Sequence, residues 1–596
     1  MCGIAGQFRL GTTVGVTSSS TVDAMLRDMA YRGPDGTTTS AFDGGVLGCA
    51  RLSIVGGSEA RQPISCTCCS VELVCNGEIY NGGQLEKLAG GGHRRSGSSD
   101  CEILGHLLSG GNSYMALDSV NGQFAFIAYD RLNRRALLGR DRFGIHPLYF
   151  AISKDGLLVS SEIGPLVHQM RAELHLRLSS LSETLCSYGP APGLTWYDEI
   201  LSVSPGCVVE IDLGSGGVRE RRYASDWREV INAEPDASAE PLVVSLRAAV
   251  GQRLGGDGGV GAYVSGGIDS ALVFALAQEL TQGRVRTFSV RLEHTNRSRE
   301  MTSLEALERM YGGQRTDVIV DSSDLGASLI EYVSHLGGPI SRIGPVAMFL
   351  LSKRVQDQGI KFCLSGEGAD ELFLGYPVFT LGMASEDRRG ESLQRIESPF
   401  EGGQWPARNS PGNQGCSGEE DLAAIQIREI ETKLSRFLLG PQGDCASLGH
   451  GVELRFPYLD MALWRHSRAW TSAPPALADG SGARLFQKET LRQAAHALLP
   501  AETVGIEKMG FADPSDLDSA MTSGLVADLV DDYSSAETCS RHGVFSPEAV
   551  GRLRSSLKVR SGQSDFEWRM QSEVLFLVAT THMVLEGNLG YESASN

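Results

Sequence analysis

The sequence predicts an α/β and α+β protein of two large units, a layered β-sandwich followed by a doubly wound parallel sheet. Three observations support this fold class. The chain has 596 residues, which is too long for one ordinary hydrophobic core. Its first third consists of short apolar segments and turns, whereas from about residue 241 apolar strands alternate with amphipathic helices. Such alternation is typical of a parallel sheet with helices on both faces.

Residues 1–215 form the first predicted unit. The segments GVLGCARLSIVG, CSVELVCNGEIYN, GQFAFIAYD and ALLGRDRFGIHPLYF are rich in β-branched and aromatic residues and are bounded by Gly, Asn or Asp. These features indicate strands. The apolar run at 124–129 suits a strand that is buried on both faces, as in a layered sandwich.

Residues 216–240 are polar and rich in small residues, which predicts a linker. The second unit, 241–596, alternates helices such as PLVVSLRAAVGQRL with the strands GAYVS, VRTFSVRL, TDVIV and IKFCLS. Within it, residues 380–420 are polar and show no clear period. We expect a mobile insertion there.

Charge and composition restrict the classes of partner. The formal net charge is −19, which argues against a nucleic-acid backbone or an anionic membrane surface as the main partner. No apolar run is long enough for a membrane-spanning helix, and the start MCGIAGQFRL lacks the features of a signal peptide. The 13 cysteines show no regular spacing, so reduced thiols in the cytoplasm are expected.

The second residue is a cysteine. Removal of Met1 would leave Cys2 with both a thiol and a free α-amine. An α-amine has a pKa of roughly 8 and can act as the base for the thiol beside it. A cysteine at this position is common by chance, so its significance depends on the surrounding motifs.

Those motifs occur in one order over about 150 residues: MCGIAG, YRGPDG, ARLSIV, NGEIYN, SSDCE, NGQFAF and GRDRFGIHPLYF. This set resembles the class II glutamine amidotransferase domain, an N-terminal nucleophile hydrolase with αββα layers. The resemblance implies that Cys2 is the nucleophile and that Asn76 and Gly77 form the oxyanion hole. It also implies that glutamine is bound by Arg51, Asn76, Gly77, Glu78 and Asp100.

The second unit opens with GAYVSGGIDSALVFALAQ, a strand, a glycine-rich turn and a helix. Backbone N–H groups at such a helix start can bind phosphate, although a lone strand–GG–helix segment is more often a plain turn. The SGGxDS pattern resembles the pyrophosphate loop of ATP pyrophosphatases. A later segment, CLSGEGADELFLGY, resembles the SGEGxDE element of asparagine synthetases.

The order of the two units resembles glutamine-hydrolysing asparagine synthetase over at least 500 residues. The resemblance implies that ATP and Mg²⁺ are used, that Asp269 and Asp370 bind the metal, and that Lys488 and Glu367 act at the activated intermediate. It places ATP against Val264, Ser265, Gly266, Gly267, Asp269, Ser270, Val290, Ser365, Gly366 and Glu367. Ammonia made at Cys2 would cross the interior and amidate an acyl-adenylate, with aspartate as the default acid.

Three positions depart from the asparagine synthetase pattern. Arg342 lies close to a position that carries an acidic residue in most asparagine synthetases. Cys445 and Ile506 occupy positions where that family usually has arginines. A changed charge in an acyl pocket changes which acid is accepted. Two alternatives therefore stay open, an amidotransferase acting on a non-aspartate acid in specialised metabolism and a glutaminase with an inactive synthetase half. The expected partners are glutamine, ATP and a carboxylic acid; a homodimer is one alternative for the assembly.

Overall fold

The structure is a computed structural model that describes residues 2–11, 18–57, 60–65, 70–89, 97, 99–109, 113–154, 156–233, 241–293, 298–381, 385–407, 422–467, 488–506, 523–559 and 564–588. No helix within these ranges is both long and apolar enough to cross a bilayer.

Two antiparallel sheets of six strands build the first part of the chain. In chain order the strands are β1 (Cys2–Phe8), β2 (Thr37–Phe42), β3 (Gly45–Arg51), β4 (Ile64–Ser65), β5 (Val71–Ile79), β6 (Gly122–Asp130), β7 (Arg135–Arg140), β8 (Tyr149–Ser153), β9 (Gly156–Ser160), β10 (Ile200–Ser202), β11 (Cys207–Asp212) and β12 (Val218–Arg222). The first sheet has the order β10-β8-β9-β1-β3-β2 and the second β12-β11-β7-β6-β5-β4. The predicted run at 124–129 lies inside β6.

Successive residues of these strands face different layers, because side chains alternate across a sheet. Ile4 of β1, Val74 of β5 and Ile127 of β6 share one hydrophobic cluster between the sheets. Their neighbours face outward. Ala5 packs with the helix Ser20–Asp28, and Leu73 packs with the helix Glu102–Leu108. The four layers are helix, sheet, sheet and helix, so the predicted αββα arrangement is confirmed.

The remaining helical segments of this part are Ala30–Arg32, Gly82–Ala89, Ser113–Ser119, Ile163–Met170, Arg171–Glu173 and Leu178–Ser187.

A parallel sheet of five strands forms the second part, as predicted. Its strands are β13 (Val260–Tyr263), β14 (Val285–Leu292), β15 (Gln314–Val320), β16 (Phe362–Leu364) and β17 (Glu453–Arg455), in the order β15-β14-β13-β16-β17. The chain runs outward from β13 to β15 and then returns to the other side of β13. This reversal creates a topological switch point between β13 and β16, where open parallel sheets bind ligands beyond the carboxyl ends of their strands.

Helices surround this sheet. The helix Ile268–Leu280 is buried in one hydrophobic cluster and Ser322–Leu336 in another. The other helices are Trp227–Asn232, Leu242–Gln252, Ser298–Tyr311, Gly344–Asp357, Ala369–Leu372, Val378–Leu381, Ser385–Leu393, Leu422–Glu429, Ala446–Leu448, Pro457–Leu459, Met461–Arg465, Glu489–Ala495, Ala501–Val504, Gly524–Tyr533, Ala536–His542, Pro547–Val559 and Asp565–Asn588, with π-helical stretches at Ile430–Leu438 and Gly440–Cys445.

The structure differs from the predicted linker at 216–240. Strand β12 pairs with β11 in the second sheet, and the helix Trp227–Asn232 follows it. Trp227 is buried against Phe143 and Trp464. Every residue of β12 is exposed. Its sequence, VRERR, lacks the apolar alternation that indicates a strand. Residues 234–240 lie outside the described residues.

The predicted insertion at 380–420 also contains regular structure. Residues 385–393 form a helix, and the buried Arg389 pairs with Glu573 of the helix Asp565–Asn588. A charged run usually indicates a solvated segment, and composition alone does not reveal one buried ion pair within it. Residues 382–384 and 408–421 lie outside the described residues.

Candidate active sites

The predicted nucleophile lies at the edge of a small cavity. Cys2 is the first residue of β1 and pairs in register with Arg51 of β3. A cavity of about 40 Å³ opens beside it. Its lining residues are Cys2, Arg51, Leu52, Ile54, Val55, Ala60, Gln62, Gly77, Glu78, Ser99, Asp100, Cys101, Glu453 and Arg455. The residues predicted to bind glutamine therefore surround one space, apart from Asn76, which contacts Cys2 directly.

The environment of Cys2 favours a thiolate. A hydrogen bond with the buried Cys49 thiol lowers the pKa of Cys2 to about 6, although burial acts in the opposite direction. The Cys2 backbone nitrogen donates to Asn76 Oδ1 at 2.8 Å. This nitrogen becomes the α-amine when Met1 is removed. A low thiol pKa provides the reactive thiolate at neutral pH.

Donors for a developing oxyanion come from β5. Asn76 is fully buried, and its Nδ2 has no hydrogen-bond partner within the described ranges. Gly77 follows it, and a Cβ there would meet the Gln123 carbonyl oxygen at 2.2 Å. Only glycine therefore fits this close approach of two strands. An unpartnered amide N–H beside a nucleophile is suited to stabilise negative charge on a substrate oxygen.

Two carboxylates, Glu78 and Asp100, also line the cavity. Asp100 Oδ2 accepts from the Ile79 backbone N–H at 2.6 Å, and burial raises the pKa of Asp100. Burial also raises the pKa of Glu78 to about 8, although Arg455 opposes this shift. Both groups can accept hydrogen bonds from an ammonium. Arg51, which also lines the cavity and donates to the Gly57 carbonyl, provides a positive charge there.

A second site lies where β13 and β16 end. Ser265 follows β13, and its backbone N–H donates to Ser270 Oγ at 3.1 Å. The backbone N–H of Gly267 donates to Ser265 Oγ at 3.3 Å. Gly266 has a φ of +85°, and a Cβ there would lie 2.7 Å from the Glu300 carbonyl oxygen. The turn is therefore tight and leads directly into the helix Ile268–Leu280.

The segment after β16 packs on this turn. A Cβ on Gly366 would lie 2.7 Å from the Ser270 backbone nitrogen. Glu367, which follows, donates its backbone N–H to Ser365 Oγ at 3.4 Å. The two motifs that are about 100 residues apart in the sequence therefore meet at the switch point. Val264 is buried just after β13, and Val290 lies half-buried in β14.

One lysine bridges the acidic residues of these motifs. Lys488 Nζ lies 2.5 Å from Asp269 Oδ2 and 2.7 Å from Asp370 Oδ1. Its backbone is left-handed, with a φ of 61°. Such a conformation costs roughly 1–3 kcal/mol in a non-glycine residue and is often found at functional sites. The arrangement brings Asp269, Asp370 and Lys488 together.

The two aspartates also fit a magnesium ion. Asp269 Oδ1 is buried and has no hydrogen-bond partner in the described part of the chain. Carboxylate oxygens are the ligands that Mg²⁺ prefers, and it commonly takes one or two of them together with phosphate oxygens and water. No cluster of three or more His, Cys, Asp or Glu that could hold a metal occurs within the described ranges.

Comparison with known proteins agrees with this geometry. The profile of the family described as "Asparagine synthase" matches residues 244–586, and that of "Glutamine amidotransferase domain" matches 1–224. The chain belongs to the asparagine synthase family. Similar proteins include asparagine synthetase [glutamine-hydrolyzing] 1 of Bacillus subtilis (24% identical, 86% of this chain and 87% of the relative), asparagine synthetase B of Escherichia coli (25%, 86% and 82%) and asparagine synthetase of Rattus norvegicus (27%, 86% and 84%).

Membership of the asparagine synthase family makes the chain an ATP-dependent ligase of the glutamine-dependent amidotransferase type, as the sequence predicts.

Three positions that depart from the asparagine synthetase pattern lie in different surroundings. Arg342 Nε pairs with Glu573 Oε1 at 2.9 Å, and its guanidinium lies 4.8 Å from the centre of the Tyr188 ring. Cys445 is buried, and burial raises its pKa. The Ile506 carbonyl accepts from Arg492 Nη2 at 2.8 Å. Arg342 therefore shares one carboxylate of the last helix with Arg389.

Sequence reasoning missed several residues of the glutamine cavity. Gln62 Nε2 lies 4.0 Å from Cys2 Sγ and donates to the Cys75 carbonyl at 2.8 Å. Glu453 and Arg455 reach the cavity from β17, which belongs to the second part of the chain. The motif HGVELRFPYLD, which contains both residues, was an available signal. Its contact with the first unit could not be read from sequence spacing.

Proposed function

We propose that this ligase hydrolyses glutamine at Cys2 and uses the ammonia to amidate a carboxylate that MgATP has activated. The observation that carries the proposal is the presence of two built sites in one chain. In the first site, the Cys2 thiol, which has a low pKa, faces a cavity lined by Arg51 and two carboxylates. In the second, a tight glycine-rich turn of the kind that binds phosphate lies at the switch point of a parallel sheet, beside Asp269, Asp370 and Lys488.

In the first site, Arg51 binds the α-carboxylate of glutamine, and Glu78 and Asp100 bind its α-ammonium. The Cys2 thiolate attacks the side-chain amide carbon, and Asn76 with the Gly77 backbone N–H stabilises the oxyanion. The α-amine of Cys2, held by Asn76 Oδ1 in the position of the present backbone nitrogen, delivers a proton to the departing ammonia. Water then releases glutamate and restores the thiol.

In the second site, backbone N–H groups of the turn at 265–270 bind the phosphates of ATP, with Val264 and Val290 beside the adenine. Asp269 and Asp370 would hold Mg²⁺, which neutralises charge on the phosphates when it is bound. The substrate carboxylate attacks the α-phosphorus, which gives an acyl-adenylate and pyrophosphate. Glu367 and Lys488 face this intermediate, and ammonia carried through the interior displaces AMP.

Aspartate is the default acid, as the names of the relatives suggest. Arg342, Cys445 and Ile506 support the alternative of another acid, because each changes the charge at a position near the expected acyl pocket. The test compares kcat/KM for aspartate with that for a panel of carboxylic acids, with pyrophosphate release as the readout. An advantage of about a thousandfold for aspartate, ~4 kcal/mol, would show that these differences do not alter specificity.

A glutaminase with an inactive synthetase half is the second candidate. The intact set of Asp269, Asp370 and Lys488 opposes it, since a buried and a partly buried carboxylate around one buried lysine are costly to retain without use. Pyrophosphate formed with ammonia as the nitrogen source separates the two candidates. As part of the same proposal, the ligase requires Mg²⁺, acts in the cytoplasm and forms a homodimer.

A further inference from the structure

A second buried thiol lies next to the nucleophile. Cys2 begins β1 and Cys49 lies in β3, and the two antiparallel strands pair with Ile4 opposite Cys49. Side chains two residues apart in a strand point to the same face of the sheet. Cys2 and Cys49 are therefore diagonal neighbours on one face, and both belong to the hydrophobic cluster between the two sheets. A hydrogen bond joins the two thiols.

The two thiols differ in their readiness to react. The hydrogen bond to Cys2 and burial raise the pKa of Cys49 well above its usual value, whereas Cys2, at the cavity wall, has a pKa of about 6. At neutral pH, Cys2 is therefore mostly a thiolate and Cys49 stays a thiol. Because the thiolate is the form that reacts with a peroxide, Cys2 is the member of the pair that is oxidised first.

The cavity beside Cys2 has room and donors for a small oxidant. Its volume of about 40 Å³ exceeds the roughly 10–15 Å³ that one water molecule needs, and hydrogen peroxide is only slightly larger than water. Arg51 lines this space, Gln62 Nε2 lies 4.0 Å from Cys2 Sγ, and Asn76 Nδ2 is the unpartnered donor described above. Such donors stabilise the negative charge that develops on a departing oxygen.

Cys49 lies within reach of an oxidised Cys2. Diagonal residues of an antiparallel pair have Cα atoms roughly 7–8 Å apart, whereas a disulfide requires about 4.4–6.8 Å, so an approach of about 1 Å is needed. Removal of Met1 would make Cys2 the terminal residue, attached to the chain on one side only. Its nitrogen is held by Asn76 Oδ1 at 2.8 Å. A terminal residue can make this small shift while the rest of β1 stays paired.

We infer that Cys2 and Cys49 form a site of reversible oxidation, at which a hydroperoxide converts the nucleophile into a disulfide. The loss of glutamine hydrolysis on oxidation rests on the proposed function, whereas the disulfide itself does not. The Cys2 thiolate attacks one oxygen of the peroxide, the O–O bond breaks, and the departing hydroxide takes up a proton to become water. Cys2 is then a sulfenic acid, oxidised by two electrons.

Cys49 completes the reaction. Its sulfur attacks the Cys2 sulfur, the S–O bond breaks, and the oxygen leaves as water with the proton of Cys49. A dithiol such as dithiothreitol restores both thiols by exchange and is itself oxidised to a disulfide. Without Cys49, the sulfenic acid remains open to a second peroxide, which would produce the irreversible sulfinic acid. The role of Cys49 is therefore to keep the oxidation of the nucleophile reversible.

The test exposes the full-length protein to hydrogen peroxide, removes the excess with catalase, and measures glutamate release before and after dithiothreitol. Each rate is expressed relative to that of the same untreated protein. Wild type should lose glutaminase activity and regain about 80% or more, whereas Cys49→Ser should regain less than about 20%. Cys101→Ser is the matched control, since Cys101 is another buried thiol that lines the cavity. It should recover as wild type does.

Mass spectrometry of non-reduced tryptic peptides detects the disulfide directly and needs no variant. Peroxide-treated wild type should contain peptide 2–9, which carries Cys2, linked to peptide 33–51, which carries Cys49. Dithiothreitol should release both peptides. Absence of this link, or a link from 2–9 to the Cys101 peptide 96–131 in its place, would overturn the inference even if Cys49→Ser does not fold.

The remaining outcomes separate the inference from the proposed function. Untreated wild type that releases no glutamate from glutamine overturns the proposed function, and the peptide link still decides the inference. Recovery of Cys49→Ser to the level of wild type overturns the protective role of Cys49. Ammonia-dependent pyrophosphate release does not use Cys2 and should survive the peroxide treatment. Its equal loss would overturn the claim that oxidation acts at the glutaminase site.

Discussion

Lys488 places its ammonium between Asp269 and Asp370. Its replacement by methionine should destabilise the synthetase half by an amount that the structure allows us to calculate. In Lys488→Met the two carboxylates stay on either side of the former Nζ position, from which they lie 2.5 and 2.7 Å. Their nearest oxygens are then no more than about 5 Å apart. Two negative charges at this distance repel by about 3 kcal/mol at an effective dielectric constant of about 20, and in the variant no ammonium offsets this repulsion. Since both side chains keep some solvent contact, about 2 kcal/mol is the expected loss.

Thermal unfolding at several pH values measures this loss. A loss of about 2 kcal/mol corresponds to a fall in Tm of about 5 °C in a large domain. In the variant, protonation of one carboxyl removes the repulsion, so the folded state binds more protons than the unfolded state does. Stability relative to wild type should therefore improve as the pH falls from 7 towards 4.5. Millimolar MgCl₂ should raise the Tm of the variant more than that of wild type, because the ion can replace the lost positive charge.

Lys433→Met is the matched control, since its ammonium lies 3.3 Å from the centre of the Tyr376 ring rather than between carboxylates. It should show no magnesium effect, although the Lys433 charge lowers the pKa of the nearby Glu371 and its loss can alter the pH dependence in its own way. A Lys488→Met protein with the Tm of wild type at pH 7, and with no added response to MgCl₂, would refute the reasoning.

Three other predictions concern activity. Cys2→Ala should lose glutamine hydrolysis by about 10⁴-fold or more and keep ammonia-dependent synthesis; glutamate release at the normal rate would exclude Cys2 as the nucleophile. Asp269→Asn and Asp370→Asn should each lose ATP-dependent pyrophosphate release, measured with ammonia, and keep glutaminase activity; normal pyrophosphate release by either variant would contradict its role as a metal ligand. The kcat/KM of glutamine hydrolysis should rise with pH to a plateau above about 8. The reason is that Glu78, with a pKa of about 8, must be ionised to bind the ammonium of glutamine. A flat profile between pH 6.5 and 9 would show that Glu78 does not control binding.

The layers of the fold could be predicted because their signals are local. Segments rich in β-branched and aromatic residues at β3, β5 and β6 indicated the sandwich, and the strand–helix alternation after residue 241 indicated the parallel sheet. Strand β12 could not be predicted, because all five of its side chains are exposed and four of them are charged. The helix at 385–393 was missed for a related reason. Its charged sequence conceals Arg389, whose burial depends on Glu573 from almost 200 residues away.

The sites were predicted from motifs, and the structure brings the motif residues together. Spacing could not reveal contacts between units. Arg455 was inside a motif that the sequence analysis did not use for the glutamine site, and its ion pair with Glu78 depends on how β17 meets β5. Gln62 belongs to no motif, and it reaches Cys2 through its hydrogen bond with Cys75. Residues of this kind are found only when the tertiary packing is known.

Coupling of glutamine hydrolysis to ATP-dependent amide formation is the central claim, and its stoichiometry tests it most directly. Wild-type protein is incubated with glutamine, MgATP and an accepted carboxylic acid, and glutamate, pyrophosphate and amide product are measured in the same reaction. The account predicts equal amounts of all three, with pyrophosphate and amide lost when the acid is left out. Glutamate formed without pyrophosphate for every acid, with ammonia also failing to support pyrophosphate release, would contradict it.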